Sequence, residues 1–235
     1  MMKQTLFAFA LAGFAAFPAP AAAAQQPAHA PATDGVRAAV ECLAHRDING
    51  YGPLLRTPPY SAAERTEVQR LMPLLQRCRQ GHEDDAFAAT VVQLRGVVAQ
   101  YLYARDFTAA PAARAPALAA GPLLRVDQAR SAAEVQPLAA TYALFDCATA
   151  AHPDLVRTYI ATTMGSPEEQ TAFRALGGAL GACLAPGGSR QLAVGGQTMR
   201  GILAEMLYRW SSVQRDGPSS PFVAGAAPAP AAAAH

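Results

Sequence analysis

The densest set of potential metal ligands in the chain is His82-Glu83-Asp84-Asp85. A metal site needs such groups to converge, ideally with a second histidine. Acids ahead of an apolar stretch also suit the start of a helix, whose first N–H groups carry partial positive charge. One hundred and five residues later the matching positions read Gly187-Gly188-Ser189-Arg190, so the feature belongs to one place only. The helix-start reading is preferred, and no metal or other cofactor is expected. His45 and His152 have no Cys, Asp or Ser constellation near them in sequence. Ser61 and Ser166 look like nucleophiles only out of context. Each opens S-x-x-E, with Glu64 and Glu169, the pattern of a capping box in which hydroxyl and carboxylate satisfy the first N–H groups of a helix. G-x-S-x-G, H-E-x-x-H and phosphate-binding glycine loops are absent. No catalytic residue is expected.

Arg95 and Arg200 raise a different possibility, an anion site completed by Tyr103 and Tyr208. Each arginine opens the same phrase, RGVVAQYLYA from Arg95 and RGILAEMLYR from Arg200. Duplication preserves packing more readily than catalysis. The reading preferred here is therefore a buried arginine satisfying backbone carbonyls or a carboxylate such as Glu41, matched by Asp146.

The phrase belongs to a longer repeat. Sliding the chain by 105 residues and comparing 38–104 with 143–209 without a gap leaves 15 of 67 positions identical. Cys42 falls on Cys147, Cys78 on Cys183, Ser61 on Ser166, Glu64 on Glu169, Leu71 and Leu75 on Leu176 and Leu180. Shared composition explains matching alanines but not two cysteines, a cap and a motif together, so the chain reads as an internal duplication.

Each copy predicts three helices in an all-α fold. The first covers 35–46, with Asp34 as N-cap, and 138–151, with Pro137 at the first position. The connection that follows contains a brief helical turn at Leu54–Leu55 or Tyr159–Ile160. The second helix starts at the capping box and carries Val68, Leu71, Leu75 and Cys78, or Phe173, Leu176, Leu180 and Cys183, on one buried stripe. It ends in copy two at LAPGG, and Gly177 and Gly181 are expected to admit a neighbouring helix. The third covers 84–105 and 190–210.

At about 100° per residue, Arg95, Gly96, Ala99, Leu102 and Tyr103 share one arc, as do Arg200, Gly201 and Tyr208. Only Gln93, Gln100 and Ala104, matched by Thr198, Glu205 and Arg209, face a polar direction. Glu205 and Arg209 are four apart, as solvent-side partners would be. A helix apolar over most of its circumference is buried, so the third helix is the central post of each unit. Met206, Tyr208 and Trp210 read as core.

Four cysteines allow three pairings. Since each copy holds two at the same spacing, Cys42–Cys78 and Cys147–Cys183 are expected, each worth about 3–4 kcal/mol on the loop-entropy argument. The segments divide as 1–24 signal peptide, 25–33 disordered, 34–107 first unit, 108–130 Ala/Pro-rich linker, 131–212 second unit and 213–235 disordered tail. The leader reading rests on Lys3, the apolar run from Leu6 to Phe17, and Ala22 and Ala24 before a cleavage at Gln25. It implies a periplasmic or secreted protein, where paired cysteines are at home. Sparse charge, 19 basic against 17 acidic residues in 235, offers no stripe for nucleic acid. No transmembrane span is expected in the mature chain.

The order Cys, capping-box helix, Cys, RGxxAExLY resembles Ala-rich exported proteins of alphaproteobacteria that often occur as duplicated units, over residues 34–212. Copy one departs from that pattern with Gln100 where copy two has Glu205. The resemblance implies fold and compartment and no activity. The function expected is a non-catalytic envelope binding or interaction protein, taking a protein or a small apolar ligand between two units packed about a pseudo-twofold. The alternative is an inhibitor or immunity-type protein that blocks another secreted enzyme.

Overall fold

The computed structural model describes residues 31–46, 50–78, 91–108, 132–184 and 194–222, with the side chains of 31–36, 132–137 and 218 left aside. All regular structure among them is helical. Unit one holds α1 (Pro31–Arg46), α2 (Gly52–Arg56), α3 (Ala62–Cys78) and α4 (Val91–Asp106). Unit two holds α5 (Ala132–Ala151), α6 (Pro153–Ala161), α7 (Pro167–Cys183) and α8 (Gly196–Asp216), closed by a 3-10 turn at Gly217–Ser219. The order of elements is the same in both halves. No helix among the described residues is long and apolar enough to cross a membrane.

The brief turn expected in each connection is a full element, α2 or α6. Both start at a proline-favoured first turn, where the missing N–H costs nothing. Helix starts differ from expectation elsewhere. α1 begins at Pro31, so Asp34 lies inside it and is no cap, and part of the expected disordered segment is helical. α5 begins at Ala132 and runs through Pro137. α8 begins at Gly196, with Gly195 as N-cap. The expected starts at 84 and 190 fall outside the described residues. At the far end α8 continues to Asp216, and Phe222 beyond it is buried, so the tail does not begin at 213. Packing of a single aromatic against Tyr208 (rings 5.7 Å apart) and Arg209 fastens those last residues.

Disulfides join Cys42 to Cys78 and Cys147 to Cys183, clamping α1 to α3 and α5 to α7. Cys78 and Cys183, expected on the buried stripe, are half-buried and pack against the core, while Cys42 is half-buried and Cys147 exposed. The core lies inward of them. Leu71 and Leu75, with their equivalents Leu176 and Leu180, point to it, together with Val40, Leu54, Leu55, Phe145 and Val156. Phe173, expected on that same stripe, is 38% exposed.

α4 and α8 form the most extensive helix contact in the molecule. They are the expected posts. Leu94 to Ala99, Leu102 and Tyr103 are buried on α4, and every residue from Met199 to Gln214 is buried on α8. The posts cross at Gly96 and Gly201, which are repeat equivalents. A methyl group on Gly96 would run into the Cα of Gly201, and one on Gly201 would stand 3.1 Å from the Cα of Gly96. Equivalent residues meeting each other is what an isologous, twofold contact requires. Gly177 and Gly181 play no such part, since added methyls there would meet nothing within 4 Å.

Candidate functional site: a closed charge network and an open groove

Arg95 leaves α4 beside the crossing and is fully buried. Its Nη1 donates to the Leu54 carbonyl (3.0 Å), Thr57 Oγ1 (3.2 Å) and Glu64 Oε1 (3.1 Å). Nη2 donates to the Thr57 carbonyl (3.1 Å) and to Glu205 Oε1, while Nε donates to Glu205 Oε2 at 3.0 Å. The whole guanidinium fork is therefore in use. Arg95 reads out α2 and the α3 cap in its own unit and reaches across the crossing to α8. Glu205 also accepts from Arg209 Nε (3.0 Å) and Nη2 (2.9 Å), and Arg209 Nη2 donates to the Leu55 carbonyl. Tyr142 from α5 donates to Glu205 Oε2 at 3.4 Å.

Glu205 and Arg209 were expected to face solvent, but they are 1% and 3% exposed. The expected carboxylate partner of Arg95 is corrected with them: Glu41 is exposed, and Glu64 and Glu205 hold the arginine instead. The outward face of an isolated α8 is the face that α2 and α4 cover. Asp146 is half-buried.

The pKa values of Glu205 and Glu64 are displaced in opposite directions. Burial disfavours the charge on Glu205, yet Arg95 and Arg209 outweigh it and hold its pKa below the ordinary 4.5. For Glu64 burial prevails over Arg95, and its pKa is raised. A lowered folded pKa gives Glu205 a stabilising share that is present above the unfolded value and lost as pH falls through the folded one. Glu64 has the opposite sign, its share being lost as pH climbs through its raised value. Urea midpoints measured from pH 7 downward should therefore fall in acid, below about pH 4. Glu205→Gln should flatten that acid limb while Glu64→Gln should leave it in place.

Unit two repeats the arrangement up to a point. Arg200 Nη1 donates to Thr162 Oγ1 (3.2 Å) and Glu169 Oε1 (2.9 Å), and Nη2 to the carbonyls of Ile160 (2.7 Å) and Thr162. Thr162, Glu169 and Arg200 match Thr57, Glu64 and Arg95 one for one. The match ends at position 100. Gln100 stands where Glu205 stands in the other copy, its Oε1 accepts from Arg37 Nη2 (3.3 Å), and Nε of Arg200 is buried without a partner. Gln100→Glu should supply the missing acceptor, raising stability by about 1 kcal/mol, since hydrogen bonds to charged groups are the stronger ones. Chemical denaturation checks it; a lowered midpoint would show that the two arms are not equivalent.

The caps form as the S-x-x-E pattern predicts, with one shift. Glu64 N–H donates to Ser61 Oγ (3.0 Å) and Glu169 N–H to Ser166 Oγ (3.1 Å). The carboxylates reach one residue further back than the cap, accepting from the N–H of Tyr60 and of Gly165, each at 2.6 Å. Both of those residues have left-handed backbones, φ 64° and 78°. The cap glutamates thus serve twice, at a helix start and under an arginine.

The repeated tyrosines come together at one end of the posts. Tyr103 stacks on Phe107 at 5.4 Å, Phe107 meets Tyr208 edge-on at 5.9 Å, and Tyr208 meets Phe222. Their hydroxyls are engaged: Arg157 Nε donates to Tyr103 (2.8 Å), and Tyr208 donates to Asp106 (3.0 Å). Burial, helped by Asp106, pushes the Tyr208 phenol up to about 12. Met206 and Trp210 are buried, as core residues should be. Both repeated arginines are buried, 0% and 4% exposed.

His45 and His152 are exposed, and the His82-Glu83-Asp84-Asp85 cluster lies outside the described residues. Among the described residues no three His, Cys, Asp or Glu side chains converge as metal ligands.

A groove of about 720 Å³ in unit two opens to solvent. Tyr159 of α6, Met164 and Gly165 of the cap loop, Glu169 and Phe173 of α7, and Val194, Gln197 and Met199 at the start of α8 line it. Met164 and Phe173 are the large hydrophobic side chains exposed among the described residues. Burial, with Glu169 beside it, pushes the Tyr159 phenol up to about 12, so it is neutral at ordinary pH. Sequence reading missed this groove because it placed Phe173 on the buried stripe. The available signal was the change from Val68 and Tyr60 in copy one to Phe173 and Gly165 in copy two. No protein-family model, no curated protein and no solved structure matches this chain.

Proposed function

We propose that the protein is an exported, non-catalytic binding module of the cell envelope whose duplicated helical body presents the unit-two groove to a partner. One observation carries the reading: Met164 and Phe173, 42% and 38% exposed, both line an open groove, while Arg95, Glu205 and Arg209 of the core are paired with one another. Large apolar side chains gathered on a concave surface are the usual mark of a binding site. The two disulfides suit an oxidising compartment, and the leader-like start of the chain suits export.

The test replaces Phe173 with a photo-crosslinking phenylalanine analogue in the intact, oxidised protein, in envelope extract. The same analogue at Ala143, exposed on α5, serves as control. The reading expects one dominant adduct from position 173 that is lost in Met164→Asp, and no such adduct from 143. Equal labelling from both positions would defeat it.

A further inference from the structure

The two halves differ most informatively at the residue before the cap. Tyr60 and Gly165 are repeat equivalents, both left-handed, both donating their N–H to the cap glutamate at 2.6 Å. A glycine adopts that backbone freely, whereas a residue with a side chain loses about 1–2 kcal/mol by doing so. Unit one nevertheless carries a tyrosine there, and its ring packs half-buried against the core. At Gly165 the direction a side chain would take is open: an added Cβ meets nothing within 4 Å.

The neighbouring positions follow suit. Pro59 is buried and Val68 half-buried in unit one, and their equivalents Met164 and Phe173 are the exposed walls of the groove. Unit one carries a phenol ring of its own at this place; unit two has none at position 165, and its groove is walled instead by the rings of Tyr159 and Phe173, 6.0 Å apart, where unit one has Leu54 and Val68.

Charge adds a second requirement. The groove runs to the start of α8, where Gly195 provides no side-chain cap and the first turn has no acidic residue. The positive end of a 21-residue helix thus borders the groove with no acidic residue in its own first turn. Glu169, on the opposite wall, is already paired with Arg200 at 2.9 Å. An occupant with negative charge beside its ring complements this surface.

We infer that the unit-two groove receives an aromatic side chain of a partner polypeptide, flanked by an acidic residue, in the place that Tyr60 fills in unit one. This rests on the groove being the binding surface proposed above. At about 720 Å³ the groove holds more than one ring, which favours a peptide segment over an isolated aromatic molecule.

The experiment titrates the full, oxidised chain with the capped peptide Ac-Gly-Tyr-Asp-Gly-NH2 and follows backbone amide NMR shifts. Expected are shifts clustered at Gly165, Phe173 and Gln197. Replacing the tyrosine of the peptide by leucine should weaken binding about fivefold, in line with what an aromatic contact adds beyond its area. Replacing the aspartate by asparagine should weaken it about threefold, as loss of a charge at a helix start does. Gly165→Tyr, which gives unit two the ring of unit one, should abolish the shifts. Its urea midpoint reports whether it folds, and Phe173→Asp supplies the same loss by another route. Equal affinity for the leucine peptide overturns the inference, as does p-cresol binding as tightly as the peptide. If the peptide shifts no amide of the unmodified chain, while the analogue at position 173 still crosslinks to an envelope partner, the aromatic assignment is overturned and the groove remains a binding surface. If crosslinking fails as well, both fall.

Discussion

Glu205→Gln is expected to cost about 3–5 kcal/mol, the range for removing one partner from a buried ion pair. The side chain keeps its size, so the loss is one of charge. Arg95 would still have Glu64 and the carbonyls of Leu54 and Thr57. Arg209 is 3% exposed and would keep the Leu55 carbonyl, the face of the Phe222 ring and a neutral amide, with no carboxylate. The unpaired guanidinium of Arg209 thus dominates the penalty. Copy one offers the control, because it manages with Gln100 and has Ala104 where copy two has Arg209. Adding Arg209→Ala to Glu205→Gln turns the site into the copy-one arrangement and should recover about half of the loss, a strong coupling of the kind seen between residues in contact. Urea denaturation of the two single variants and the double variant measures this. Additive losses would mean that Arg209 does not depend on Glu205.

Gly96→Ala is the second large effect, about 1–3 kcal/mol, the usual range for forcing extra volume into a packed core. The obstacle is the backbone of Gly201, which cannot rotate aside as a flexible side chain would. Relief requires α4 and α8 to part, and their contact joins the two units. Gly201→Ala, whose methyl would stand 3.1 Å from Gly96 Cα, should cost less. Once the helices have moved apart for one methyl, the second is cheaper, so the double variant should fall short of the sum. The disulfides confine the damage to the crossing, since each closes within a single unit. Thermal unfolding under oxidising conditions should show a lower or broader transition, and an unchanged one would mean that the posts do not pack as closely as the geometry implies.

Much of this architecture is legible in one dimension. Equal spacing of two cysteine pairs pointed to the disulfides, because each copy of a duplicated unit inherits the pair that the single unit would have joined. The S-x-x-E boxes located the starts of α3 and α7, since a cap is a local contact between residues three apart. The all-round apolar character of the RGxxAxxLY segments marked them as posts. Identity at Thr57 and Thr162 was also present in the aligned copies, and its meaning emerges only once both threonines accept from the repeated arginines.

The errors have a common cause. Glu205 and Arg209 sit on the polar side of α8 considered alone, and helical periodicity assigns that side to water. Tertiary structure decided otherwise, because α8 is enclosed by α4, α5 and α6 and by the carbonyl end of α2. A charge so enclosed must be paired, and its partners lie 110 residues away at Arg95 and four away at Arg209. Phe173 fails in the reverse direction: its periodicity says core, but its ring, 6.0 Å from that of Tyr159, is left 38% exposed at the groove. Local sequence determined which helices form, where they are capped and which cysteines join them. Which polar groups are buried, and which apolar ones are left open to a partner, depends on what packs against each face, and that is set by chain segments far away in sequence.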